Sequence, residues 1–174
     1  ALTSIDFGDA KVTNIDNFAF RFCESLTSIV IPEGITAIGE YAFANCAALK
    51  SVSLPNSLEE LEPYAFAGCS SLENIRLGEN LDYIGRYAFS DCTSLSEIKI
   101  DGAKAIFEHA FKNCTSLASI SLPDNCENLL GETFENCTSL KEVILPAKLQ
   151  HLGTLFVNCP MLESVTLPAG LIQI

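Results

Sequence analysis

The sequence predicts a solenoid: a stack of short coils, with a parallel β-sheet of about eight short strands along one side. Turns and short helical or 3-10 segments run along the other. Three observations lead there. Seven cysteines, Cys23, Cys46, Cys69, Cys92, Cys114, Cys137 and Cys159, recur every 22 or 23 residues, and self-similarity at such a period marks a repeat stack. Each cysteine keeps the same neighbours, a Phe three residues before it and a Leu three residues after it. Finally, the L-x-x-I-x-L stretch that follows ends in alternation. This sets its Ile and last Leu on one face of a strand and the residues between them on the other.

The first strand is read at residues 2–7. One more follows per repeat, at 26–31, 49–54, 72–77, 95–100, 117–122, 140–145 and 162–167. Strands one coil apart run parallel and in register. Pro32, Pro55, Pro123, Pro146 and Pro168 end them, because proline cannot donate to a ladder. The return path carries a second apolar pair, such as Ile35 and Ile38 or Leu81 and Ile84. A turn follows, often with glycine (Gly39, Gly85, Gly153). The Tyr-Ala-Phe segment after it reads as a helical turn or a 3-10 piece. Residues 1–174 are therefore read as one domain of about seven repeats, uncapped at both ends, which reaches Ile174 in the slot of Ile38. Solenoids need polar terminal coils, so the expectation is a slice of a longer array, or end-to-end self-association.

Composition limits the partners. The chain has 48% hydrophobic and 18% charged residues with a net charge of -12. A core is easily built, but phosphate neutralisation by clustered Lys and Arg is not. Nucleic acid and anionic membrane surfaces are therefore excluded as expected partners. No apolar run approaches the ~20 residues of a membrane span. Residues 1–9 show no signal peptide.

The unit is written most cleanly at residues 42–55, Ala-Phe-Ala-Asn-Cys-Ala-Ala-Leu-Lys-Ser-Val-Ser-Leu-Pro. This A-F-x-x-C-x-x-L-x-x-I-x-L-P form resembles the BspA-like class of bacterial leucine-rich repeats, from residue 2 to 174. The resemblance implies a leucine-rich repeat solenoid of α/β, horseshoe-like shape with its parallel sheet on the concave side. It implies a secreted or cell-surface protein whose role is adhesion or protein binding. It brings no catalytic motif.

Several columns invite chemistry. Metal sites usually draw on close C-x-x-C pairs, and none is present, so no metal and no cofactor is expected. In-register thiols hold their Cβ atoms poorly for disulfides. The column reads as small buried hydrophobes. Cys126 lies in the slot of Ile35 and Leu58 and reads as a core substitution. A catalytic thiol needs a base, yet the only histidines are His109, which replaces the repeat Tyr, and His151. Asn45, Asn113, Asn136 and Asn158, with Asp91 in the same slot, precede their cysteines. Asn113 and Asn136 match a glycosylation acceptor, but stacked side chains serving corner backbone groups are the favoured reading. The column of Phe18, Tyr41, Tyr64 and Tyr87 could bind a sugar; packing on the convex side is favoured.

Partner recognition falls to the outward strand positions, which packing leaves free. They are Ser28 and Val30, Ser51 and Ser53, Asn74 and Arg76, Glu97 and Lys99, Ser119 and Ser121, and Glu142 and Ile144. Ser4 and Asp6, and Ser164 and Thr166, extend the face. It is small and hydroxylated, with Arg76, Glu97 and Lys99 as its only mixed-charge patch. It lacks the aromatic anchors of strong binding centres, so an extended contact of modest affinity with a protein or glycan is expected. A non-catalytic binding module is the leading expectation. A structural spacer or filament-like segment is the alternative. No enzyme constellation stands out.

Overall fold

The structure, a computed structural model, describes residues 1–173. Ile174, aligned above with Ile38, lies outside the described residues. Among the described residues, thirteen short strands fall into two sheets and alternate between them as far as β12. The longer strands are β2 (Ser28–Val30), β4 (Ser51–Ser53), β6 (Asn74–Leu77), β8 (Glu97–Ile100), β10 (Ser119–Ser121), β12 (Glu142–Ile144) and β13 (Ser164–Thr166). They form one seven-stranded parallel sheet. In register, Ile29 stands beside Val52, Val52 beside Ile75, and Ile75 beside Ile98. Their side chains point inward while their neighbours point out, as the alternation required.

Two details of this sheet differ from expectation. Residues 2–7 form no strand. Instead the Asp6 carboxylate accepts the Gly8 N–H at 2.9 Å, a local Asx turn that bends the chain away before a ladder forms. The remaining strands begin two residues later than read, because the Leu26, Leu49 and Leu72 N–H groups donate back to the carbonyls of Cys23, Cys46 and Cys69.

The return path forms a second sheet that periodicity did not reveal. Its two-residue strands are β1 (Asn14–Ile15), β3 (Ala37–Ile38), β5 (Glu60–Leu61), β7 (Tyr83–Ile84), β9 (Ala105–Ile106) and β11 (Asn128–Leu129). One residue of each strand, Ile15, Ile38, Leu61, Ile84, Ile106 and Leu129 in turn, is buried. A two-residue strand is too short to show alternation, which is why the apolar pairs alone did not announce it.

No helix forms among the described residues, and the Tyr-Ala-Phe segment is a pair of tight turns, not the expected helical or 3-10 piece. The hydrogen bonds give the reason. Tyr41, Phe43 and Asn45 donate to the next coil, at Pro63, Ala65 and Ala67, while Ala42, Ala44 and Cys46 close local turns onto Gly39, Tyr41 and Phe43. A helix would spend all these donors within its own segment; the stack takes every second one. The alternation puts the Tyr and Asn slots in left-handed backbone, with φ of 56° at Tyr41, 60° at Asn45, 59° at Tyr64 and 60° at Asn113. Gly68 takes the Asn slot of its coil with φ 73°.

The core fills the space between the sheets and this corner. Phe43, Phe66, Phe89, Phe111 and Phe134 are all fully buried, and their rings stack at centroid distances of 5.2 to 5.7 Å. Burying one such side chain contributes roughly 1.5–3 kcal/mol. Here the contribution repeats once per coil.

Candidate binding face

The twelve outward residues named above form two straight columns on the seven-stranded sheet. In-register pairing aligns Ser28, Ser51, Asn74 and Glu97, and further along Ser119 with Glu142. The second column runs Val30, Ser53, Arg76, Lys99, Ser121 and Ile144, and every one of the twelve is exposed. Apolar residues mark the two ends of this column, Val30 at 69% and Ile144 at 46% exposure. The charged pair, Arg76 and Lys99, stands at its centre.

That centre contains a residue the sequence reading did not select. Asp101 bridges both cations, with Arg76 Nε at 2.7 Å and Lys99 Nζ at 3.5 Å. The Arg76 hydrogen bond, supported by the charges of Arg76 and Lys99, holds the Asp101 carboxyl below its ordinary value. Asp101 occupies the slot where five coils have proline, and Gly78 occupies it one coil earlier. Losing the proline has a structural effect, because the Asp101 N–H now donates to Leu77 O at 3.0 Å. β6 and β8 therefore extend to four residues, longer than any other strand. The break in the proline column was the available signal. Shallow hollows flank the triad, one lined by Ser53, Asn56, Asn74 and Arg76, the other by Lys99, Asp101, Ser121 and Asp124.

The other columns are structural in their geometry. All eight cysteines are free, and only Cys23 and Cys159 are not fully buried. They are more than small hydrophobes. The thiols of Cys69, Cys92, Cys114 and Cys137 donate to the Phe carbonyl of the preceding coil at 3.2 to 3.3 Å. Phe43 O thus accepts both the Cys46 N–H and the Cys69 thiol. Burial raises the Cys92 and Cys114 thiols well above their ordinary value, and Cys126 to about 11.

The asparagines pair with one another: Nδ2 of Asn113, Asn136 and Asn158 donates to Asp91, Asn113 and Asn136 at 2.7, 2.8 and 2.6 Å. The nitrogen a glycan would need is already engaged at both acceptor motifs. The aromatic column Phe18, Tyr41, Tyr64 and Tyr87 stacks at 5.4, 4.5 and 4.8 Å, with planes within 9° of parallel. Those rings cover one another's faces within the column, and only the terminal Phe18 has a stacking partner on one side alone.

The chain matches the BspA type leucine rich repeat region in six copies, over residues 1–103 and 101–174. The chain belongs to this family. A similar fold occurs in a T. pallidum leucine rich repeat protein, 29% identical with a TM-score of 0.66, covering 91% of this chain and 64% of that one. A leucine rich cell surface protein from Faecalibacterium prausnitzii A2-165 is 27% identical with a TM-score of 0.55, covering 92% of this chain and 58% of that one. A leucine-rich repeat protein from Bacteroides ovatus, at 24% identity, TM-score 0.52 and coverage of 88% and 58%, shares the fold. The chain thus spans less than two thirds of the length of these structures. No curated protein matches it significantly.

Proposed function

We propose that this BspA-type repeat segment is a non-catalytic binding module of a secreted or cell-surface protein, serving adhesion or protein–protein interaction through the seven-stranded sheet. The observation that carries the reading is the pair of exposed columns. Their side chains have no part in the core, yet parallel register holds them at fixed spacing. That is a surface on which recognition can be written without disturbing the stack. The cell-surface description of the Faecalibacterium prausnitzii relative supports the location. The ligand class is an extended protein segment or glycan, contacting Arg76, Lys99 and Asp101 centrally and the small hydroxylated residues Ser53 and Ser121 beside them.

The test is a glycan array and a pull-down from surface-protein extracts, followed by affinity measurement on whatever is captured. Replacing Arg76, Glu97 and Lys99 together by Ala is expected to weaken binding by about tenfold or more, roughly 1.4 kcal/mol or above. Unchanged affinity in a folded triple variant would remove the central face from the reading.

A structural spacer that associates with copies of itself is the second reading. It is favoured by the edge strands β2 and β13 of the longer sheet and β1 of the second, since unpaired edge strands can recruit further strands. Light scattering that finds a monomer at every concentration would eliminate the self-associating form.

A further inference from the structure

The aromatic column along the corner does not continue unchanged. In the slot of Tyr41, Tyr64 and Tyr87, the next two coils carry His109 and Glu132. Three residues further along each coil, where Ala44, Ala67 and Ser90 stand, the same two coils carry Lys112 and Glu135. Four departures from the repeat meet at one spot, far from the exposed columns of the sheet and independent of their role. The His109 ring stacks on Tyr87 at 4.5 Å, which fixes its plane. Its Nδ1 lies 3.1 Å from Glu135 Oε2 and its Nε2 lies 3.6 Å from Glu132 Oε2.

Two features separate this group from an ordinary surface ion pair. Nδ1 of His109 and Oε2 of Glu135 are both closed off from solvent and face each other at 3.1 Å, with the Lys112 ammonium on the same oxygen. In addition, one donor atom from each of His109, Glu132 and Glu135 can be chosen so that all lie within 4.8 Å of one another. Metal bonds of ~2.0–2.2 Å to N and O hold neighbouring ligand atoms about 3–3.5 Å apart. The His109–Glu135 separation is already in that range. The Lys112 ammonium stands 2.7 Å from the same Glu135 Oε2.

We infer that His109, Glu132 and Glu135 form a binding site for a divalent transition-metal cation, with Zn2+ the best chemical fit to one imidazole and two carboxylates. His109 Nδ1 and Glu135 supply the preformed pair. Glu132, the most exposed of the three, supplies the third oxygen by rotating its side chain. Because His109 belongs to one coil and both glutamates to the next, the ion is a clip between coils. Lys112 is its built-in competitor, since its ammonium already neutralises the Glu135 oxygen the metal would take.

The experiment titrates the whole reduced chain with Co2+, followed by visible absorption, and with Zn2+, followed by calorimetry and thermal unfolding. One equivalent is expected to bind, with a cobalt spectrum free of thiolate charge transfer and a raised Tm. His109→Tyr restores the residue of the neighbouring coils, so it should fold; with Glu135→Gln it should weaken binding by at least about tenfold. Lys112→Met should tighten it. A thiolate band, or Zn2+ affinity unchanged in His109→Tyr, would assign the metal to the cysteines and overturn the site. Absence of binding at millimolar metal would leave an ion-pair cluster only and overturn it equally.

Discussion

Single residues in this protein act through their counterparts one coil away. A cysteine at the corner is small enough to be buried and still has a proton to give to the Phe carbonyl of the previous coil. Alanine would fill the space less well and serine would bring a more demanding hydroxyl. Cys69→Ala is expected to cost about 1–3 kcal/mol, read from chemical denaturation. In native labelling with a thiol reagent, Cys23 and Cys159 should react first, because the other six are buried. Six or more fast thiols would contradict the packing. Asn113 holds φ 60° and also links Asp91 to Asn136. Asn113→Ala loses both the backbone tolerance and the bridge, and should destabilise by about 1–2 kcal/mol. Asn113→Gly keeps the tolerance and should cost clearly less. Equal losses would mean that the side-chain bridge alone matters. Burial of the cysteines was legible from the repeat; the bonds were not, because they join residues 22 to 26 apart.

At the scale of elements, the strands of the long sheet were readable because alternation, terminal proline and fixed period agreed. The two-residue strands of the second sheet and the left-handed corner were not readable. Both are made by donors that leave the local segment for the next coil, and local pattern carries no record of that. The central strands β6 and β8 show the same dependence, extended where Gly78 and Asp101 replace proline. Asp101 also gives this element a pH signature. Its folded-state carboxyl lies below the ordinary value, so the unfolded chain binds more protons in the acid window. Its contribution is then full above the ordinary carboxylate range and is lost as pH falls through the lowered folded value. The effect is small because the pair faces solvent. Asp101→Asn should flatten that part of the acid stability curve; an identical curve would show that the triad adds nothing to folding.

At the scale of the whole molecule, stability is a sum of coils and of contacts between neighbours. Phe66, Phe89 and Phe111 have a ring on both sides, whereas Phe20 and Phe156 have one ring partner each and are only partly buried. Hydrogen exchange should accordingly be slowest in β6, β8 and β10 and faster in β1, β2 and β13. Uniform protection along the chain would instead indicate all-or-none opening. The sequence by itself determined the repeat, the family, the parallel strands and the identity of the buried columns, because a fixed period with fixed neighbours leaves few other ways to bury that apolar surface. Only the tertiary structure decided which polar groups meet: thiol with carbonyl, Asn with Asn, Arg76 with Asp101, His109 with Glu132 and Glu135. Each of those encounters depends on the offset between coils, and a coil cannot carry that offset alone.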